Sequence, residues 1–186
     1  MLFFMLLAGL GPNPGGQPVA DVFARLYEEF VPKVLRYVSY RVTDANLAED
    51  LTSAVFEKAL SRFKTYDAGK AGFSTWLFSI ARNTLIDHFR VSSKRQTVGL
   101  DSLSEVSDGG DPPGDVAVRA EERRRLHACI ALLPQPEQEI ISLKFGAEMT
   151  NRQIAGLLGL SESNVGVIVY RSVRKLRDSF GSREDE

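Results

Sequence analysis

Cysteine and histidine are scarce in this chain of 186 residues, which holds one Cys, Cys129, and two His. A lone cysteine cannot close an internal disulfide, so a reducing cytosol is the expected compartment. His127 lies two positions before Cys129, but a structural zinc site wants about four such ligands. No metal or other cofactor is expected. Gly-rich phosphate loops are missing, and no two carboxylates sit at a spacing that promises metal binding. Both absences argue against an enzyme acting on DNA. Long apolar runs are missing too. "MLFFMLLAGL" gives way after ten residues to "GPNPGGQP". A membrane span needs about 20 apolar residues, and a secretory signal needs a basic leading segment that is not there. Residues 1–17 therefore read as a disordered or loosely docked tail, or as an over-extended gene start, and no membrane insertion is expected. Net charge is also nearly absent: 23 Lys+Arg stand against 24 Asp+Glu. Overall charge argues neither for nor against nucleic acid, so the placing of the charges decides.

With 44% hydrophobic and 25% charged residues the chain can bury a core, and its length suits one domain or two small ones. From Asp21 to Arg90 apolar residues recur at three- and four-residue steps, with no alternating strand-like run. Breaks near "RVTDAN" and "TYDAGKAG" predict three helices, Asp21–Arg41, Ala45–Phe63 and Phe73–Arg90, with Thr43 or Asp44 capping the second. Residues 93–120 change character. Gly, Pro, Ser and Asp abound, and Asp101 to Asp115 holds five acids and no base. Such a stretch reads as a flexible acidic linker. Helical periodicity returns over 121–181, and 182–186 read as a frayed tail. The expected fold is all-α, with two small helical domains (18–92 and 121–181) on a tether.

"TNRQIAGLLGLSESNVGVIVYRSVRKLR" is the most specific stretch. Thr150 and Gln153 fit a capping box. Gly159 permits a sharp turn between two helices. Ser161 caps the second of them, whose Val165, Ile168, Val169 and Leu176 face inward. Outward lie Ser163, Asn164, Val167, Arg171, Arg174 and Lys175. From Asn164 to Arg177 there are four bases and no acid. A helix entering the major groove needs small polar residues near its start and bases further along. Gly166 stands within this helix, where it costs about 1 kcal/mol relative to Ala.

The helix "FSTWLFSIARNTLIDHFR" has its own signature. On a wheel, Phe73, Trp76, Leu77, Ile80, Ala81, Thr84 and Leu85 cover the inner side. Thr75, Ser79, Arg82, Asn83 and Arg90 share the outer arc with Ile86, while Asp87 falls at the edge of the inner side. The loop before it offers Lys64, Tyr66 and Lys70. Bases and aromatics on an acid-free face suit single-stranded nucleic acid, which binds by stacking and phosphate contacts. The middle helix is opposite in character: Glu49, Asp50, Ser53 and Glu57 cluster on one side, and such a face suits a protein partner better than DNA.

In that order, "AEDLTSAVFEKAL", "YDAGKAGFSTWLFSIARNTLIDHFR" and "LP…E…NRQIAGLLGLSESNV…R.LR" resemble a bacterial sigma factor of the extracytoplasmic-function (ECF) group. The resemblance covers Asp21–Arg90 as sigma region 2 and Glu121–Phe180 as region 4. It implies a dissociable, non-catalytic subunit of RNA polymerase that supplies promoter recognition and melting. In the family, the helix like Ala45–Phe63 docks on the clamp helices of the beta-prime subunit, which would place Glu49, Asp50, Ser53 and Glu57 at that contact. Relatives commonly carry Gln where this chain has Ser53. The beta flap is the implied second contact on core polymerase. Asn83 would meet a base extruded from the minus-ten strand, with Arg82 and Arg90 on phosphates and Lys64, Tyr66 and Lys70 beside them. The helix after Ser161 would read the minus-thirty-five duplex, although many relatives place a base where Gly166 stands. An anti-sigma factor is the implied regulator, with the chain free in the cytoplasm or held by it at the inner membrane face. The alternative is a stand-alone helix-turn-helix regulator, which leaves the acidic face of the middle helix without a use.

Overall fold

The computed structural model describes residues 19–97 and 115–181. The two expected tails and the middle of the expected linker lie outside these residues. Among the described residues all regular structure is helical. No described helix is long and apolar enough to cross a membrane.

The first domain is a three-helix bundle. Helix α1 (Val19–Ser39) buries Phe23, Phe30, Val34, Tyr37 and Val38, a spacing of three, four and seven that keeps one face inward. Pro32 lies within α1 on an exposed position, where its missing N–H and bulky ring meet solvent, not the core. The helix stops at Ser39, two residues before the expected end, because the Arg41 N–H turns back to the Val38 carbonyl at 2.8 Å. Asp44 begins α2 (Ala45–Arg62), its carboxylate accepting from the Asn46 and Leu47 N–H groups at 2.8 and 3.2 Å. Leu51, Val55 and Ala59 face the core as expected, with Phe56 and Leu60 beside them. A short 3-10 turn, Phe63–Thr65, leads to α3 (Phe73–Thr97).

Helix α3 runs well past the expected end at Arg90. "VSSKRQT" contains no Gly or Pro, and the Ser93 hydroxyl folds back onto the Arg90 carbonyl at 3.1 Å without breaking the helix. Phe78, placed by neither side of the wheel, is fully buried, because α3 packs on both α1 and α2.

The second domain opens with α4 (Asp115–Ala131), whose first residues belong to the stretch read as linker. In "DVAVRAEERRR" the Ala, Glu and Arg residues are good helix formers, and Asp115 at the first position suits a helix N-terminus. Pro134 and Pro136 set the start of α5 (Gln135–Ile141), and the Gln138 side chain donates to the Ala131 and Leu133 carbonyls at 3.1 and 2.7 Å, tying the turn together. A wider helical turn, Ser142–Gly146, follows. The helix-turn-helix is then α6 (Asn151–Leu158) and α7 (Glu162–Gly181). Both halves of the capping box are made: the Thr150 N–H donates to Gln153 Oε1 at 2.8 Å and the Gln153 N–H to Thr150 Oγ1 at 3.2 Å. Gly159 adopts φ 68°, in the left-handed region that favours glycine. The Asn164 N–H donates to Ser161 Oγ at 3.2 Å, completing the cap of α7.

The two domains lie against each other. One apolar cluster runs from Tyr37, Val55 and Phe78 of the bundle through Ile140, Leu143 and Met149 to Ile154 and Val165. A smaller one joins Ile130, Leu133 and Ile141, with Tyr40 of the first domain packed on it.

Candidate nucleic-acid interface

On α3, Asn83 and Arg90 are exposed, Ile86 lies exposed among them, and Arg82 is half-buried. Asn83 lines a cleft of about 280 Å³ between α2 and α3, together with Ile80, Thr84, Ile86 and Asp87. The opposite wall carries Lys58 and Arg62, two bases that the wheel of α3 could not find. Lys58 Nζ donates to Thr84 Oγ1 at 3.1 Å, and the Thr84 hydroxyl donates in turn to the Ile80 carbonyl at 2.9 Å. The signal for them was present on α2 itself, whose second half carries Lys58 and Arg62 with one acid, Glu57, before them. Two cations facing an amide across a narrow cleft suit a phosphodiester strand with one base turned inward.

Two expectations for this face are corrected. Asp87 is exposed, not at the edge of the inner side, and accepts from Arg90 Nη2 at 3.1 Å, so the outer arc is not free of acid. The wheel misplaced it because α3 packs on two neighbours and leaves its last turns open. Tyr66 is not held out on a loose loop. Its ring packs with Phe63, Phe73 and Trp76 at centroid distances of 6.1, 5.6 and 5.0 Å, and its hydroxyl donates to the Ala71 carbonyl at 3.2 Å. Apolar area drives this cluster, and Trp76 belongs to it as a half-buried core residue. Arg82, expected on the outer arc, is paired in this structure: its Nε donates to Glu139 Oε1 of the second domain at 2.8 Å. Lys64 and Lys70 stay exposed on the loop, with Lys70 Nζ 3.9 Å from Asp67.

The second surface is the outer side of α7. Ser163, Asn164, Val167, Arg171, Arg174 and Lys175 are all exposed. They do not share one arc equally. Lys175 leans to the side and grips Glu137 of α5 at 2.8 and 2.9 Å. That ammonium, with help from the Ser172 hydroxyl at 3.1 Å, holds the Glu137 carboxyl below its usual range. Tyr170, absent from the sequence expectation, is 69% exposed and lies beside Arg174 on the wheel, on the side away from Val167 and Arg171. An aromatic one helical turn from a base was the available signal. Gly166 faces neither solvent nor a clash: a Cβ there would sit 3.5 Å from the Asn151 amide, an ordinary contact.

The third surface is one side of α2, where Glu49, Asp50, Ser53 and Glu57 are all exposed. These side chains form an acidic strip on the same helix that carries Lys58, next to Glu57, and Arg62 at its end.

The family described as Sigma-70 region 2 matches residues 26–95, and that described as Sigma-70, region 4 matches residues 123–176. The chain is 33% identical over 157 residues to the ECF RNA polymerase sigma factor BldN of Streptomyces coelicolor, covering 84% of this chain and 60% of that protein's length. It is 30% identical over 164 residues to the ECF RNA polymerase sigma factor SigX of Bacillus subtilis, covering 84% of this chain and 82% of SigX. The chain belongs to the ECF RNA polymerase sigma factors. In this sigma factor the region 2 match takes in most of α1, all of α2 and most of α3, and the region 4 match runs from α4 into α7. The same overall fold occurs in the sigma factor RpoE from Bartonella quintana, solved in complex with the anti-sigma factor NepR, with a TM-score of 0.68 and 17% identity over 87% of this chain and 98% of that one.

Proposed function

We propose that this sigma factor initiates transcription by a division of surfaces. The acidic strip Glu49, Asp50, Ser53 and Glu57 docks on the clamp helices of the polymerase beta-prime subunit, and the second domain meets the beta flap. The α2–α3 cleft with Lys58, Arg62 and Asn83 captures the unpaired minus-ten strand, assisted by Lys64, Lys70, Arg82 and Arg90. The outer arc of α7, with Ser163, Asn164, Val167, Tyr170, Arg171 and Arg174, reads the minus-thirty-five duplex, and Lys175 flanks it. The protein supplies recognition and melting while the polymerase supplies the chemistry. It works in the cytoplasm, under an anti-sigma factor that withholds it from the polymerase.

The observation that carries this reading is the exposed Asn83 facing Lys58 and Arg62 across one cleft. Extruding a base costs a few kcal/mol, which stacking and phosphate contacts can offset. Asn83→Ala should leave the polymerase complex bound to duplex promoter DNA, as seen by footprinting, but abolish permanganate reactivity of thymines in the melted region. Parental reactivity in Asn83→Ala would remove the cleft's role.

A further inference from the structure

We infer that Glu137 limits how tightly the recognition helix α7 holds duplex DNA irrespective of sequence, by keeping Lys175 off the phosphates. The inference rests on the reading of α7 as the duplex-facing helix given above. Between Asn164 and Arg177 this helix carries four bases and no acid. Every base free to reach a phosphate strengthens binding to promoter and bulk DNA alike, because phosphates recur along any sequence. The counter-charge that α7 lacks over this stretch comes from α5.

Two mobile side chains at a surface form only a weak pair, but here the acid is fixed. Glu137 is mostly buried, whereas Lys175 is half exposed. The carboxylate accepts from two positions one turn apart on α7. Lys175 Nζ lies 2.8 Å from Oε1 and 2.9 Å from Oε2, and Ser172 Oγ lies 3.1 Å from Oε2. Ser172 is fully buried, so its hydroxyl holds the carboxylate at the seam between α5 and α7. The start of α5 is itself tied down, because the Gln138 side chain donates to the Ala131 and Leu133 carbonyls.

The place of this acid matters as much as its rigidity. Arg171 stands one turn before Lys175 on the same side of α7, within reach of the same charge. A phosphate drawn to Lys175 must displace a carboxylate that stays where it is and repels the newcomer. The pair is neutral as a unit, so this edge of α7 adds little to the sequence-independent hold. A weak hold by the free chain suits a dissociable subunit. DNA binding then grows strong when the duplex-facing and strand-facing surfaces act together on the polymerase.

The test uses the full chain and a short fluorescein-labelled duplex of mixed sequence, with affinity read by anisotropy across a range of KCl. The logarithm of the affinity falls with the logarithm of salt by about 0.9 per phosphate contacted. Glu137→Gln keeps the shape and the serine contact but drops the charge. It should bind more tightly than the parent at low salt and steepen the slope by about 0.9, one added phosphate. Glu137→Ala, which also gives up the serine bond, should do the same. Glu137→Gln combined with Lys175→Gln should return the slope to the parental value, because the freed base is the source of the gain. Slopes that neither Glu137 variant steepens overturn the inference. A steepening that persists in the double variant overturns it too, since the added contact then comes from a group other than Lys175. Arg171→Ala separates the two levels. A slope lowered by Arg171→Ala but unmoved by Glu137→Gln removes the role of Glu137 and leaves α7 on the duplex, whereas parental slopes in both variants remove both.

Discussion

Tyr37 shows what one residue can reveal about the whole contact. It is fully buried, its ring lies 5.5 Å from Phe78 in an edge-on arrangement, and its hydroxyl has no partner among the described residues. Burial, with the Glu139 carboxylate nearby, pushes its phenol well above the ordinary value. Because the folded state raises this pKa, the stability it supports is fully present below about pH 10 and falls as the unfolded phenol ionises above that range. Tyr37→Phe keeps the ring and deletes the orphan oxygen. It should raise unfolding stability by about 1 kcal/mol in urea at neutral pH and weaken the alkaline loss. A destabilised Tyr37→Phe would mean that the hydroxyl has a partner. Single residues were also where sequence reasoning was weakest. Arg82, Tyr66 and Asp87 were assigned to the correct helix or loop, but their partners lie 57 positions away, in a local aromatic cluster, and three residues along the helix. Periodicity assigns a residue to a side of its own element and is silent about what arrives from elsewhere.

At the scale of elements, the helix-turn-helix was legible because each device is local. A capping box, a glycine and a serine cap fall within thirteen residues of each other and depend on nothing outside them. Gly159 offers a clean check. A Cβ there would meet nothing within 4 Å, so the cost of Gly159→Ala is the left-handed backbone alone. That cost should be about 1–2 kcal/mol in urea unfolding. A loss near zero would mean that the turn relaxes to another conformation. Helix ends were less legible, as α3 and α4 both run into the stretch read as linker. Serine and aspartate mark turns on average, but where no Gly or Pro intervenes a helix can carry them. The recognition helix gives a second prediction at this scale. Lys175 is engaged with Glu137, whereas Arg171 and Arg174 face outward. Arg171→Ala should therefore reduce the salt dependence of duplex binding by about one phosphate contact, and Lys175→Ala by less. Equal losses would return Lys175 to the groove-facing arc.

Across the whole molecule, charge is sorted more finely than a net value of −1 suggests. The acids on one side of α2, the bases in the α2–α3 cleft and the bases along α7 make three surfaces of different charge. The packing of one domain on the other was not legible. It depends on Gly146 and Glu148 meeting Arg36 across 110 and 112 positions, a match that no local pattern encodes. Direct evidence for the division of surfaces would come from transcribing sheared genomic DNA with purified core polymerase, with and without this sigma factor, and mapping the RNA 5′ ends. The account predicts a discrete set of start sites that appears only when the protein is added, each preceded by the same two sequence elements, and that is lost with Asn83→Ala. Start sites unchanged by the protein, alongside tight duplex binding by the protein alone, would contradict it.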